Sequence, residues 1–377
     1  MAISGLIRTY GQTTASREDL EDIIAMISPT DTPLFTLLNR VQVFNTKHEW
    51  IEDALRSMTS TLGAAIGGNR ATDVAIAVQT GHGAARFPLS TNYPILIRIN
   101  EELMLATART TNVLTVTRDY NSLSATGAHS SGATIEVLYD NSIEGADART
   151  AFAQTRSRPY NMCQIFDATV LVSGSQEQIV KAGIVSSESD YQIERRLEEL
   201  KVQIERALVM GTRVDGTSTT YRSMGGLFHY ISTNKSNRSS AALTEAMIEA
   251  DARACYDAGG SPGMIICNSF QAEKITGLYK DRIRTEPEDI LGGAQIQRIQ
   301  MPVAGMGELP IIVSRWVPQH EYYILDVTKV SLGVFRAFAM TELAKTGDAV
   351  KSQVLGEYTA IVKNEAAHAR SYALATS

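Results

Sequence analysis

Cysteine, histidine and tryptophan are scarce in this chain: three, six and two among 377 residues. Cys163, Cys255 and Cys267 are odd in number and far apart, which argues against a disulfide framework and for a reducing compartment. His48, His82, His129, His229, His320 and His368 form neither HxxxH nor HExxH, and none lies near a cysteine, so no local zinc motif exists. No apolar run approaches the roughly 18 residues of a membrane span, and the opening MAISGLIRTYGQ lacks the apolar centre of a signal peptide. The chain is therefore expected to be made in the cytoplasm and used there or released by lysis. A net charge of −6 excludes a nucleic-acid binder that works by counterion release.

Catalytic patterns are absent too. No GxxxxGKS or GxxxxGKT occurs, and the junction Cys267-Asn268-Ser269 has no glycine to bring backbone N–H groups close to an anion. Ordinary capping by Ser269 of a helix over 270–279 is the simpler reading. Ser173-Gly174-Ser175 is not a GxSxG elbow. Cys163 and Cys267 sit in strand-like apolar contexts, where a thiol is a small hydrophobe. The pairs Glu101-Glu102 and Glu198-Glu199 point to different faces of a strand or helix, so neither is an acid/base dyad. No cofactor, metal or catalytic residue is assigned.

What the chain does have begins at Ser16. Ser16 caps a short helix, with Asp19 three residues on, and Leu20, Ile23, Ile24 and Ile27 recur as one apolar stripe. Ser28-Pro29 ends that helix, because the residue before a proline is pushed out of the α region. Thr32-Pro33 starts a second one, and after Asn39 the chain reads extended through Val41, Val43 and Trp50. Such an arm buries its stripe elsewhere, on another part of the fold or on a neighbouring subunit.

Residues 56–84 are rich in Ser, Thr, Ala and Gly and are expected to be extended and mobile when alone. Strands follow at Ile95–Ile99, Leu103–Ala106, Val113–Thr117 and Thr134–Leu138, a small all-β unit. Ser187 to Gly211 reads as a long helix, with Ile193, Leu197, Leu200, Ile204 and Leu208 on one face and Glu194, Arg195, Arg196, Glu198, Glu199 and Arg206 outward. Its length of about 36 Å makes it a strut. A polar connector over 212–240, broken at 224–231, leads to a helix near 244–258 stopped by Gly259-Gly260. Strands are expected at Met264–Cys267, Gln295–Pro302, Ile311–Ser314, Tyr322–Leu325, Val330–Phe335 and Val354–Val362, then a small polar tail.

Three blocks carry a family likeness. They are the arm, with REDL, ISPTDTP and HEWIEDAL; the stretch NMCQIFDATVLVSG at 161–174, followed by Gln178, Lys181 and Gly183; and the long helix. Together they resemble major capsid proteins of tailed bacteriophages, the Hong Kong 97-type fold. The likeness covers most of the chain, with 241–338 matching in pattern more than in motif. It implies an α+β fold: an N-terminal arm at 1–44, an extended loop going out over 45–85, and an inserted small β-barrel at 86–142. The loop's returning strand is at 143–183, a peripheral domain with the spine helix at 184–240, an axial domain at 241–338, and peripheral strands and tail at 339–377. Asp119 stands where the inserted barrel's pattern usually has glycine, and the turn there is expected to differ.

The implied function is a shell subunit enclosing double-stranded DNA in the virion, built in the host cytoplasm from hexamers and pentamers. Its partners would be a portal protein, a separate scaffold, and a possible cement protein; no membrane is involved. The candidate subunit contacts are Leu20, Ile23, Ile24, Ile27, Trp50 and Phe166, though for Trp50 and Phe166 the filling of a local core is the favoured reading. An encapsulin-like compartment shares this fold and stays open as an alternative. So do a cytosolic α/β enzyme built on 241–338 and a phage tail or adaptor protein. No lysine occurs between Lys47 and Lys181, where arginine appears nine times. Some members of the resembled family weld their shells from a loop lysine, and this loop would have no amine for that bond.

Overall fold

The computed structural model describes residues 31–89, 92–120, 127–149, 151–153, 155–179, 187–280, 283–287, 295–300, 307–345 and 347–376. The stripe residues Leu20, Ile23, Ile24 and Ile27 lie outside them. Two compact units emerge: Ile51–Arg158 forms one, and the residues before and after it form the other.

The first unit opens with α1 (Pro33–Leu37), whose proline sits at N1 as the sequence predicts, and β1 (Asn39–Gln42). Next, β2 (Lys47–Glu49) pairs antiparallel with β9 (Tyr160–Met162), and Trp50 N donates to Pro159 O at 3.0 Å. The chain thus leaves for the second unit and returns from it through paired strands.

The second unit holds β3 (Thr59–Thr61), β4 (Ala75–Ala77), α2 (His82–Arg86), β5 (Ile95–Ile99), β6 (Glu102–Thr110), β7 (Val113–Thr117) and β8 (Thr134–Asp140). Its sheet runs β3-β8-β5-β6-β7-β4. Gly63 N donates to Ala77 O at 2.8 Å and Gln79 N to Thr61 O at 2.9 Å, so the two edge strands also join and the sheet closes on itself. The expectation for 56–84 is corrected here: these residues supply β3, β4 and α2, and Leu62, Ile76 and Val78 are buried in the unit's core. The unit is accordingly wider than 86–142. The segment has few apolar residues, but each falls where strands from elsewhere leave a face open. Asp119 adopts a left-handed backbone, with φ 48°, which a short polar side chain tolerates better than most. Buried Glu102 accepts both Nε (2.9 Å) and Nη2 (2.7 Å) of Arg118 and lies 2.8 Å from His129 Nε2. Burial works against its charge, yet Arg118 and His129 outweigh that and lower its pKa.

Back in the first unit, β10 (Gln164–Ser173) pairs antiparallel with β18 (Ala349–Val362) along all its length. The sheet order is β1-β17-β18-β10, with β17 at Val330–Glu342. Within the 161–174 stretch, Asn161 and Met162 belong to β9, β10 is the edge strand of this sheet, and α3 (Gly174–Gln178) ends it. The strut is α4 (Glu188–Met210): Ser187 Oγ accepts Asp190 N at 3.2 Å, and Gly211 closes it. Leu200, Ile204 and Leu208 are buried, as the periodicity requires. They share one core with Leu34 and Phe35 of α1, Leu227 of α5 (Leu227–Tyr230), Phe166, Val354, Ile266 and Tyr323.

That core also touches a seven-stranded sheet ordered β11-β19-β16-β12-β15-β14-β13. Its strands are β11 (Lys235–Ala241), β12 (Met264–Cys267), β13 (Ile283–Pro287), β14 (Gln295–Gln300), β15 (Glu308–Val313), β16 (Tyr322–Leu325) and β19 (Ala369–Leu374). Helices α6 (Glu245–Asp257) and α7 (Ser269–Leu278) belong to this part, and Asn268, not Ser269, caps α7 by accepting Phe270 N. Two further expectations change. The division at 338 falls inside β17, which belongs to the four-stranded sheet, and the polar tail is in fact β19, seated between β11 and β16.

Candidate assembly surfaces

Two devices fix the N-terminal segment and the paired strands that lead into and out of the second unit. The first holds the arm. Glu205, fully buried on α4, accepts the N–H of Phe35 at 2.8 Å and of Leu34 at 3.1 Å, with Ser314 Oγ at 3.4 Å. It supplies from a distance the capping oxygens that Thr32 does not give. Burial pushes its pKa up to about 7, and the two N–H groups and Ser314 offset only part of that. Asp31 is held from outside the helix: its carboxylate meets Arg315 Nε at 2.7 Å, and its carbonyl accepts Trp316 Nε1 at 2.8 Å. β1 then runs parallel to β17, which completes the anchor.

The second device holds the stem of the insertion. Asn161 is fully buried; its amide donates to Gly225 O (2.9 Å) and Ala360 O (2.6 Å), and its oxygen accepts Gly225 N (2.8 Å). One side chain thus ties β9, the loop after α4 and β18 together. Tyr230 donates to Tyr160 O at 2.6 Å, and the Trp50 and Tyr230 rings lie 5.9 Å apart. Tyr160 lies between Arg213 (4.0 Å) and Lys47 (4.1 Å) as a cation–π pair of contacts.

Trp50 and Phe166 are both placed inside the subunit. Trp50 packs with Val43, Cys163 and Ile361, and Phe166 belongs to the core around α4. The large apolar side chains left exposed are different ones. In the first unit Phe44 is 89% exposed; in the second, Leu55 is 96% and Ile51 64% exposed. On β10 the outward residues Ile165 and Leu171 are exposed while Phe166, Val170 and Val172 face inward. Sequence reasoning did not single out Phe44, which follows Val43 inside the extended run, or Leu55, which lies beyond it. It also missed Glu205 and Asn161, a polar residue beside an apolar stripe and one at the head of a β-rich run.

All three cysteines are free and buried, and burial pushes Cys163 up to about 11 and Cys255 and Cys267 up to about 12. His368 is buried with its pKa pushed down to about 4, and its Nδ1 accepts Asp326 N at 3.1 Å. Among the described residues, no group of three or more His, Cys, Asp or Glu could hold a metal, and no helix is long and apolar enough to cross a membrane.

An anchored arm, a strut under a four-stranded sheet, a second sheet sharing the same core and an inserted closed sheet together make a mixed α+β architecture of the Hong Kong 97 type. Solved structures bear this out. The capsid asymmetric unit of cyanophage A-1(L) matches with a TM-score of 0.54 at 11% identity, covering 98% of this chain and 99% of that one. A chain of Mycobacterium phage Bobi matches with 0.51 at 11% identity, covering 98% and 99%. The holo-SrpI encapsulin complex from Synechococcus elongatus matches with 0.52 at 9% identity, covering 99% and 97%. At such identities these show the fold and do not separate phage capsid from encapsulin. No curated protein matches in sequence.

The separation comes from the family model described as SU10 major capsid protein, which matches residues 7–375. The chain belongs to that family, and it is a capsid subunit that self-assembles into an icosahedral shell.

Proposed function

We propose that the shell is the head of a tailed phage and encloses double-stranded DNA, with this chain as a purely structural component. The observation that carries the reading is the match to a major capsid family across residues 7–375. Hexamers and pentamers form in the host cytoplasm on a separate scaffold, close around a portal protein, and in some particles take up a cement protein. Burial of apolar surface such as Phe44, Leu55 and Ile51 on neighbours drives the contacts, at about 25 cal/mol per Å² removed from water. The net charge of −6 suits a shell that contains DNA without gripping it. The test is electron microscopy of the purified protein, alone and with its scaffold, together with nuclease treatment of particles from lysed hosts. Closed shells holding nuclease-protected DNA are expected. A monomer at every concentration, or shells filled with an enzyme and no DNA, would overturn the proposal.

A further inference from the structure

The four-stranded sheet ends on β10, and no strand among the described residues pairs with its outer side. β10 lacks what usually guards an exposed edge: Gln164–Ser173 holds no proline, no lysine and a single charge, Asp167. Its backbone has a definite parity. Gly174 N donates to Asp348 O at 3.1 Å, in step with the β10–β18 ladder, whereas Cys163 N donates the other way, to Thr46 O at 2.8 Å. Antiparallel bonding alternates along a strand. Even-numbered residues therefore bond β18, while Ile165, Asp167, Thr169 and Leu171 aim their N–H and C=O groups out of the sheet. The same four side chains are exposed, Leu171 at 66% and Ile165 at 44%.

The strand also reads nearly alike in both directions about Ala168. Ile165-Phe166-Asp167 on one side is answered by Thr169-Val170-Leu171 on the other, apolar at the ends and polar beside the centre. A second copy related by a half rotation about Ala168 lies antiparallel, with Ile165 opposite Leu171 and Asp167 opposite Thr169. The residues so opposed are the ones whose backbone groups point outward, as a new ladder requires. The register is selective. An axis one residue earlier sets Asp167 against itself, and one residue later sets Leu171 against Asp167.

We propose that two copies of this chain join β10 edge to β10 edge across a two-fold axis at Ala168, so that one sheet runs through both subunits. A two-fold contact is isologous and has to be self-complementary, which the pattern about Ala168 supplies. The chain self-assembles into an icosahedral shell, and every such shell has two-fold axes where identical surfaces meet. The contact covers Ile165 and Leu171 of both copies and satisfies the outward backbone groups. It concerns the wall of the shell, so it is independent of the reading of what the shell contains.

The test is disulfide trapping in assembled particles of the full chain. Ala168→Cys sets two thiols directly opposite, with Cα atoms about 4.5 Å apart, within reach of a disulfide. Leu171→Cys is the register control, because the two copies of residue 171 lie about 20 Å apart in this pairing. The native cysteines are buried, and the unaltered protein is oxidised alongside. Non-reducing detergent gels are expected to show a band at twice the 41 kDa chain for Ala168→Cys and the single chain for Leu171→Cys. No dimer from Ala168→Cys, or as much dimer from Leu171→Cys, would overturn the proposal. Leu171→Asp gives a second readout at an exposed side chain. It is expected to unfold like the parent yet to need roughly tenfold more protein to form shells. Assembly at the parent's concentration would equally overturn the pairing. Shells are scored separately by microscopy, so failure here leaves the capsid reading standing.

Discussion

Replacing Glu205 tests how the arm is fastened. Glu205→Ala strands two buried backbone donors, Leu34 N and Phe35 N, which the carboxylate accepts at 3.1 and 2.8 Å. An unsatisfied buried donor costs about 1–3 kcal/mol, and relief of the buried charge offsets part of the sum. A net loss of about 2–4 kcal/mol is expected, concentrated in residues 31–43. The pH dependence has a definite sign. The folded-state pKa, about 7, lies above the unfolded value near 4.5, so this group's contribution is fully present below pH 4.5 and is lost as pH rises through 7. At about 1.4 kcal/mol per unit, the loss is of order 3 kcal/mol. Urea denaturation of dissociated subunits at pH 5 and pH 8 measures it, and Glu205→Gln should flatten that difference. An Ala variant within about 0.5 kcal/mol of the parent, or a Gln variant with an unchanged pH slope, would refute the reasoning.

The remaining predictions concern covalent chemistry and modularity. The whole second unit, Ile51–Arg158, has no lysine, and guanidinium is a poor nucleophile, so particles boiled in reducing detergent should run as one band near 41 kDa. A persistent ladder of multimers would show that another lysine supplies a bond. Because Trp50 and Pro159 are already hydrogen-bonded, replacing residues 51–158 by a short Gly/Ser linker should leave the first unit unfolding cooperatively. Loss of a cooperative transition would place those strands in the body's core. The three buried thiols should resist a water-soluble alkylating reagent in native subunits and react only on unfolding; rapid labelling of Cys163 in the native state would contradict its burial.

Helix signals written within a dozen residues survive into the fold almost unchanged. Ser187 caps α4, Gly211 closes it, and its stripe is the face that is buried, because a helix satisfies its own backbone and needs a partner only for one side. Pro33 opens α1 for the same local reason. Met264–Cys267 and Tyr322–Leu325 are strands with the expected bounds, each a short apolar run buried throughout. The family likeness in the arm, in the 161–174 stretch and in α4 was likewise legible, and it pointed to the capsid class.

Only the tertiary structure decided which strands share a sheet. Residues 59–61 and 75–77 look like linker in composition, yet they pair with Thr134–Glu136 and Val113–Thr115. The terminal residues become β19 because β11 and β16 leave a strand-wide gap between them. Glu205 is a further case: among outward-looking neighbours on α4 it is the one that a helix 170 residues away turns into a buried cap. A strand's hydrogen bonds are always made to another segment, and a buried charge is defined by what surrounds it. Both depend on contacts that sequence neighbours do not record, whereas a helix carries most of its bonding within itself.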